Sequence, residues 1–460
     1  MLGAVQYGGV SFWYQELGGL PKPHPALDRS VSADICIIGA GFTGLWAAYY
    51  LKKADPSLNI VIVEEHFAGF GASGRNGGWL SGNFAWDHEK YLSSGTAEQV
   101  KAMVAAFHST VDEVIAVAEV EGFHADIHRT QELAIATNAY QFQRLAPELK
   151  RLSHWGDHRS QLESEAQLRA RVAIPSARGA LVTSGVARIQ PAKFVRGLAD
   201  AVARSGVTIY ETTRAHKVSK GQVITDQGRV ACAVVLKATE GYSAQLPGYK
   251  RNWLPLNSAQ IVTEPLPPEL WRDIGWSGAE LIGDMAHAYC YCQRTADGRI
   301  ALGGRGLPYL LNSKIQQDGR PTSGTIAELR GILARLFPAA THVPLAHAWQ
   351  GVLGVPRDWC ATVGLDRETK IGWAGGYVGV GLTSANLAGR TLCDLVLSNP
   401  TALTELPWVN RAVRVWEREP LRWMAVRGLY AVLKAADRAE ADGKAYAPHL
   451  ARLGAWIKSQ

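Results

Sequence analysis

Apolar residues follow two rhythms along the chain. Residues 34–64 carry the clearest pattern: the run D-I-C-I-I, a glycine turn, the alanine-rich F-T-G-L-W-A-A-Y-Y-L, a polar break, then I-V-I-V closed by Glu64. Short continuous apolar runs predict strands covered on both faces, and the longer stretch between them predicts a buried helix. Apolar spacing near three and four predicts helices over 96–122 and 139–171. Further on, the pattern predicts a helix at about 191–204 and strands at 207–211, 214–218, 222–225 and 229–237. Residues 255–264 and 280–305 alternate as antiparallel strands do. A helix follows at about 323–336, and S-A-N-L-A-G-R-T-L-C-D-L-V-L after the glycine cluster at 375–382 predicts another. Residues 1–33 read as an extended leader, with Pro21, Pro23 and Pro25 against regular structure and Phe12, Trp13 and Tyr14 as its anchors.

The return to strand–helix alternation near residue 185 predicts interleaved domains. The expected division is a leader (1–33), a discontinuous nucleotide domain (34–95, 185–245 and 355–405), a cap domain (96–184 and 246–354) and a helical tail (406–460). The fold class is α/β, a Rossmann-like domain with an inserted antiparallel-sheet domain.

The glycines bring in chemistry. Gly39, Gly41 and Gly44 fill G-x-G-x-x-G between strand and helix. Glu64 stands about twenty residues beyond, where a carboxylate can accept hydrogen bonds from ribose hydroxyls. The helix that begins near Gly41 directs its positive end at phosphate. A dinucleotide is the expected ligand; the plainer alternative is a tight turn that binds nothing.

Composition narrows the classes. The chain is 47% apolar and 19% charged, the balance of a packed globule. A net charge of +7 without a long basic run gives nucleic-acid binding no support. The N-terminal sequence lacks the charge and apolar core of a signal peptide, and a cytoplasmic location is expected. Six scattered cysteines show no zinc spacing, and Cys290 with Cys292 reads as core filling. After residue 406, Trp408, Trp416 and Trp423 alternate with arginines. An interfacial membrane helix is the minor reading there, because Pro420 interrupts the run; docking on the chain's own body is the major one.

Two further glycine segments, G-F-G-A-S-G-R-N-G-G (69–78) and G-G-Y-V-G-V-G (375–381), occur with Q-R-T-A-D-G-R-I-A-L-G-G (293–304). Together with the first, they resemble the D-amino-acid oxidase-like superfamily of FAD-dependent oxidoreductases, closest to the gamma-glutamylputrescine oxidase group. The resemblance implies FAD extended across the nucleotide domain, with an antiparallel sheet over its ring. By position, Gly39, Ala40, Gly41, Phe42, Thr43 and Gly44 would hold the pyrophosphate, and Glu64 the ribose. Ser73, Gly74, Arg75, Asn76, Gly77 and Gly78 would pass beside pyrophosphate and flavin. Val218 would meet the adenine through its backbone, and Glu65 and Thr239 join the cofactor contacts. Gly376, Gly379, Val380, Gly381, Leu382 and Thr383 would border the pyrimidine end, where backbone donors and a helix dipole stabilise the charge of the reduced ring.

Several departures from relatives matter. Val380 stands where a His is common, Gly351 where sarcosine oxidases carry the flavin-linking Cys, and Ala301 near their oxygen-activating Lys. Non-covalent FAD is therefore expected. The catalytic residues are open, since amine oxidation needs no protein base. Candidates are Arg305 for a substrate carboxylate or the oxygen side, and Tyr289 and Tyr291 as walls of an amine pocket; Arg294 and Arg299 flank the same strand. The implied reaction oxidises the C–N bond of a primary or secondary amine to an imine that hydrolyses. Molecular oxygen or another acceptor takes the electrons. The alternatives are a flavin monooxygenase, whose P-x-x-G-Q-G is missing after G-D-M-A-H (283–287), and a flavin-bound subunit without activity of its own.

Overall fold

The computed structural model describes residues 7–83, 87–304 and 308–444. Two sheets organise them. The first has eight strands. Across its width run Thr362–Asp366, Ile371–Gly375, Arg229–Lys237, Val31–Ile38, Ile60–Val63 and Thr208–Tyr210. The hairpin Ala215–Ser219 and Gln222–Thr225 is laid along Arg229–Lys237. The pairings from Ile371–Gly375 through to Thr208–Tyr210 are all parallel. Ile60–Val63 is buried at every position, as a strand covered on both faces must be.

Helix Phe42–Ala54 crosses between Val31–Ile38 and Ile60–Val63 and buries every residue from Phe42 to Leu51. It lies between the sheet and helices Pro191–Arg204 and Gly381–Leu397. The strand-to-helix turn needs Gly39, whose φ of +101° only glycine adopts readily. A Cβ on Gly44 would fall 2.0 Å from the Gly39 carbonyl oxygen, so close seating of the helix on its turn depends on that hydrogen.

The second sheet has nine strands. Its main path is Leu345–Val355, Leu254–Thr263, Ile300–Gly304, Tyr291–Arg294, Leu281–Asp284, His128–Ala136, Gly179–Arg188 and Trp79–Leu80. It was expected to be antiparallel throughout. One pair, Leu281–Asp284 beside His128–Ala136, is parallel, because the long intervening chain makes the crossover that a parallel pair requires. Trp79–Leu80 pairs with Ala187 and Arg188 at the edge of this sheet.

Other expectations are corrected locally. The helix expected over 139–171 ends at His154; the polar segment Ser160–Ser164 forms a strand on Gly179–Arg188, and Ser164 caps the short helix Glu165–Arg169. The leader is not wholly extended, since Phe12–Glu16 forms a helical turn that buries Phe12, Trp13 and Tyr14. The last glycine cluster enters its helix at Gly381, inside the stretch read as preceding it.

The tail packs on the body. Trp408, Trp416 and Arg422 are buried, and helix Leu421–Ala441 begins directly after Pro420. Near its end, Asp437 accepts the backbone N–H groups of His287 and Ala288, while Glu440 meets His287 Nε2 at 2.9 Å and Arg144 at 2.7 Å. No helix among the described residues is long and apolar enough to cross a membrane. All six cysteines are buried and unpaired, Cys290 and Cys292 within the core of the second sheet.

Candidate functional site

A cleft enclosing about 440 Å³ is walled by residues of both sheets. One end is built on the carboxyl ends of Val31–Ile38 and Ile60–Val63, where open parallel sheets bind ligands. The N-cap of helix Phe42–Ala54, Gly41, has no side chain to offer, and Ser73 Oγ accepts the Phe42 N–H at 2.8 Å, tying the second glycine segment to the first. Beside the turn, the Glu64 carboxylate accepts the N–H groups of Ala40 (2.8 Å) and His66 (3.0 Å). Burial raises its pKa to about 7 against the pull of those two donors.

The middle of the cleft is the loop at 69–78, held in shape by protein contacts. Arg75 is 2% exposed, and its guanidinium donates to the carbonyls of Phe70, Gln350 and Gln317. Its own carbonyl accepts from Gln260 (2.5 Å) and Trp349 (2.9 Å). Asn76 bonds within the loop, to the Ser73 carbonyl and the Gly78 N–H, and its carbonyl accepts from Trp13 at 2.8 Å.

Opposite stands the loop at 375–380, fixed by Glu240. That buried carboxylate accepts N–H groups from Gly376 (2.8 Å), Tyr377 (3.0 Å) and Gly354, and burial pushes its pKa up to about 7. The hydroxyls of Tyr377 and Thr43 meet at 3.0 Å and join this loop to the nucleotide helix. Helix Gly381–Leu397 starts here without a side-chain cap, so its positive end stands on the cleft wall. The far end is aromatic: Trp79 and Tyr291 lie edge to face at 6.1 Å, and Tyr289 adjoins Tyr291 at 6.5 Å. Tyr291 also meets Ser258 at 3.0 Å, hydroxyl to hydroxyl.

Of the positions predicted from sequence, Gly39, Gly41, Phe42, Thr43, Glu64 and Glu65 line the cleft at one end, and Ser73, Arg75, Asn76, Gly77 and Thr239 along its length. Gly379, Val380, Gly381, Leu382, Tyr289 and Tyr291 line it further on. Ala40, Gly44, Gly74, Gly78, Gly376 and Thr383 stand behind the wall; Thr383 donates its hydroxyl to the Ser81 carbonyl at 2.7 Å. Val218 lies off the cleft. The register shift between Ala215 and Lys217 presents Thr213 and Ala215 instead, and Val218 packs beside Val223 and Leu27. Arg305 lies outside the described residues. Arg294 donates to the Trp276 carbonyl and Arg299 pairs with Asp297 and Glu264, so both serve structure. The sequence reading missed Glu240, Glu132, Trp79, Gln260 and Tyr377.

These residues fit an extended dinucleotide. The cleft joins the start of helix Phe42–Ala54 to the Glu64 carboxylate, and the buried polar atoms His66 Nε2, Tyr242 Oη and Trp79 Nε1 on its walls have no hydrogen-bond partner among the described residues. The profile of the DAO family, FAD dependent oxidoreductases, matches residues 34–395. The chain belongs to this family and is an FAD-dependent oxidoreductase. It is similar to the gamma-glutamylputrescine oxidoreductase of Escherichia coli, 27% identical over 396 residues that cover 84% of this chain and 89% of that one. It is also similar to the probable oxidoreductase OrdL of Rhizobium meliloti, 28% identical over 416 residues that cover 85% and 89%. The crystal structure of glycine oxidase from Geobacillus kaustophilus superposes with a TM-score of 0.69 at 19% identity, over 83% of this chain and 99% of that one.

Proposed function

We propose that the protein oxidises the C–N bond of a primary or secondary amine to an imine that water hydrolyses, with oxygen as final acceptor giving hydrogen peroxide. The observation that carries this reading is the aromatic end of the cleft, where Trp79, Tyr289 and Tyr291 adjoin the uncapped start of helix Gly381–Leu397. When bound, FAD supplies a two-electron acceptor for the C–H bond beside nitrogen. Gly39, Gly41 and Thr43 would hold its pyrophosphate side, Glu64 its ribose, and Gly379–Leu382 its ring. The aromatic walls exclude water and favour the neutral amine, the form able to lose a hydride. The helix end and the backbone around Gly381 stabilise negative charge arriving beside them. Two similar proteins bear the names gamma-glutamylputrescine oxidoreductase and glycine oxidase, which supports a nitrogen-bearing substrate. Cysteine is absent from the described cleft lining, in keeping with non-covalent FAD, and the six unpaired thiols suit a reducing compartment such as the cytoplasm.

The test is anaerobic mixing of FAD-loaded protein with a panel of amines and amino acids. Bleaching of the flavin by amines, followed by peroxide on admitting air, is the expected result. A flavin that no amine bleaches would overturn the proposal; NADPH-dependent hydroxylation would point to a monooxygenase.

A further inference from the structure

The far end of the cleft contains a carboxylate that the oxidation itself does not use. Glu132 lies on strand His128–Ala136 at a register shift against Gly179–Arg188, between Thr130 and Glu132. Such irregularities re-aim side chains and gather beside active sites. Oε2 of Glu132 accepts from Asn83 Nδ2 at 2.7 Å and Ser81 Oγ at 3.2 Å. Oε1 takes no hydrogen bond from the described residues, and Glu132, Ser81 and Asn83 all line the cleft close to Trp79. Burial raises the carboxyl's pKa, while those two donors and the Arg159 guanidinium pull it down. Arg159 is itself committed to Asp157 through two hydrogen bonds, at 3.1 and 2.9 Å.

A carboxylate with one oxygen hydrogen-bonded, on a cleft that Trp79, Tyr289 and Tyr291 also line, has the chemistry of an organic-cation site. The guanidinium on the described cleft wall, that of Arg75, belongs to a residue only 2% exposed and is engaged by three backbone carbonyls, which makes it a poor partner for a substrate carboxylate. The nitrogen being oxidised must be neutral, so an ammonium held by Glu132 is a different group of the same molecule.

We infer that Glu132 anchors a second ammonium group of the substrate, so that the enzyme prefers diamines, or amines with a distal free amine, over monoamines and amino acids. This rests on the amine-oxidation reading above and adds a substrate class to it.

The test uses full-length, FAD-loaded protein and a homologous series of straight-chain α,ω-diamines, with the monoamine and the ω-amino acid of each length. Dissociation constants are read anaerobically from perturbation of the flavin spectrum, and reduction is read separately from bleaching. The expected result is that one diamine length binds about ten- to a hundredfold tighter than its monoamine, the range for a charge-assisted hydrogen bond. Glu132→Gln removes that preference while monoamine binding stays within about twofold. Glu132→Asp, shorter by one methylene, moves the optimum to a longer diamine, which a merely structural role would not do. Equal weakening of all ligands by Glu132→Gln, or an ω-amino acid binding tighter than the diamine, overturns the inference. The length series on unaltered protein decides the matter even if a variant does not fold. Diamine-selective binding without bleaching would sink the oxidation reading alone; bleaching without diamine selectivity would sink this one alone.

Discussion

A methyl group on Gly44 would sit 2.0 Å from the Gly39 oxygen and 3.1 Å from Ile37 Cγ2. Backbone cannot yield as a flexible side chain can, so Gly44→Ala is expected to cost more than about 3 kcal/mol and to abolish FAD retention. Urea unfolding and the flavin content of purified protein check this. Glu64 gives a prediction in pH. Its folded, cofactor-free pKa is raised to about 7, above the ordinary value. Its neutral form therefore favours the fold below about pH 4.5, and that contribution is lost as pH rises to 7. Ribose hydroxyls would donate to the ionised form, so FAD affinity should run the other way, rising about tenfold per pH unit from 5 towards 7 and then levelling. Glu64→Gln should flatten that profile in a fluorescence titration. At this scale the places of Gly39, Gly41 and Glu64 on the cleft were legible in the sequence, because they share one local motif. Glu132 and Glu240 were illegible: each is one acid in a strand or turn, and long-range pairing alone brings Glu132 to Ser81 and Asn83, or Glu240 to Gly376.

Among the elements, the loop at 375–380 depends on an acid from another part of the chain. Glu240→Gln would replace one accepting oxygen with an NH2 group that cannot accept, leaving at least one buried N–H unpaired at about 1–3 kcal/mol. The expected outcome is a lower melting temperature and weaker FAD binding, seen in thermal scans with and without FAD. Helix Leu421–Ala441 plays a similar part through Asp437 and Glu440, which grip the segment before Tyr289. Glu440→Ala should speed amide hydrogen exchange across 285–290 while flavin content holds. Long periodic elements were legible: Ala97–Glu121, Pro191–Arg204 and Ser323–Leu336 lie where the apolar spacing puts them. Polar strands such as Ser160–Ser164 were not, since a mostly exposed strand has no apolar alternation to show.

For the molecule as a whole, residues of both sheets wall the cleft proposed for FAD, so FAD held there would stabilise the two sheets together. At a hundredfold excess over the dissociation constant the gain is about 2.7 kcal/mol. A melting temperature that climbs with FAD, as one transition by both fluorescence and circular dichroism, is the expected result. The order of the three glycine segments made the family legible. The single parallel pair in the second sheet was not, because its partners lie at Leu281–Asp284 and His128–Ala136 and nothing local couples them. The loop at 69–78 has one more consequence. Gln260, Trp349 and Trp13 clamp its carbonyls, and Arg75 locks it from behind. A mould set by its own struts keeps its contour when emptied: the yellow colour should wash out under mild chaotrope and return within one mixing step when the pigment is restored.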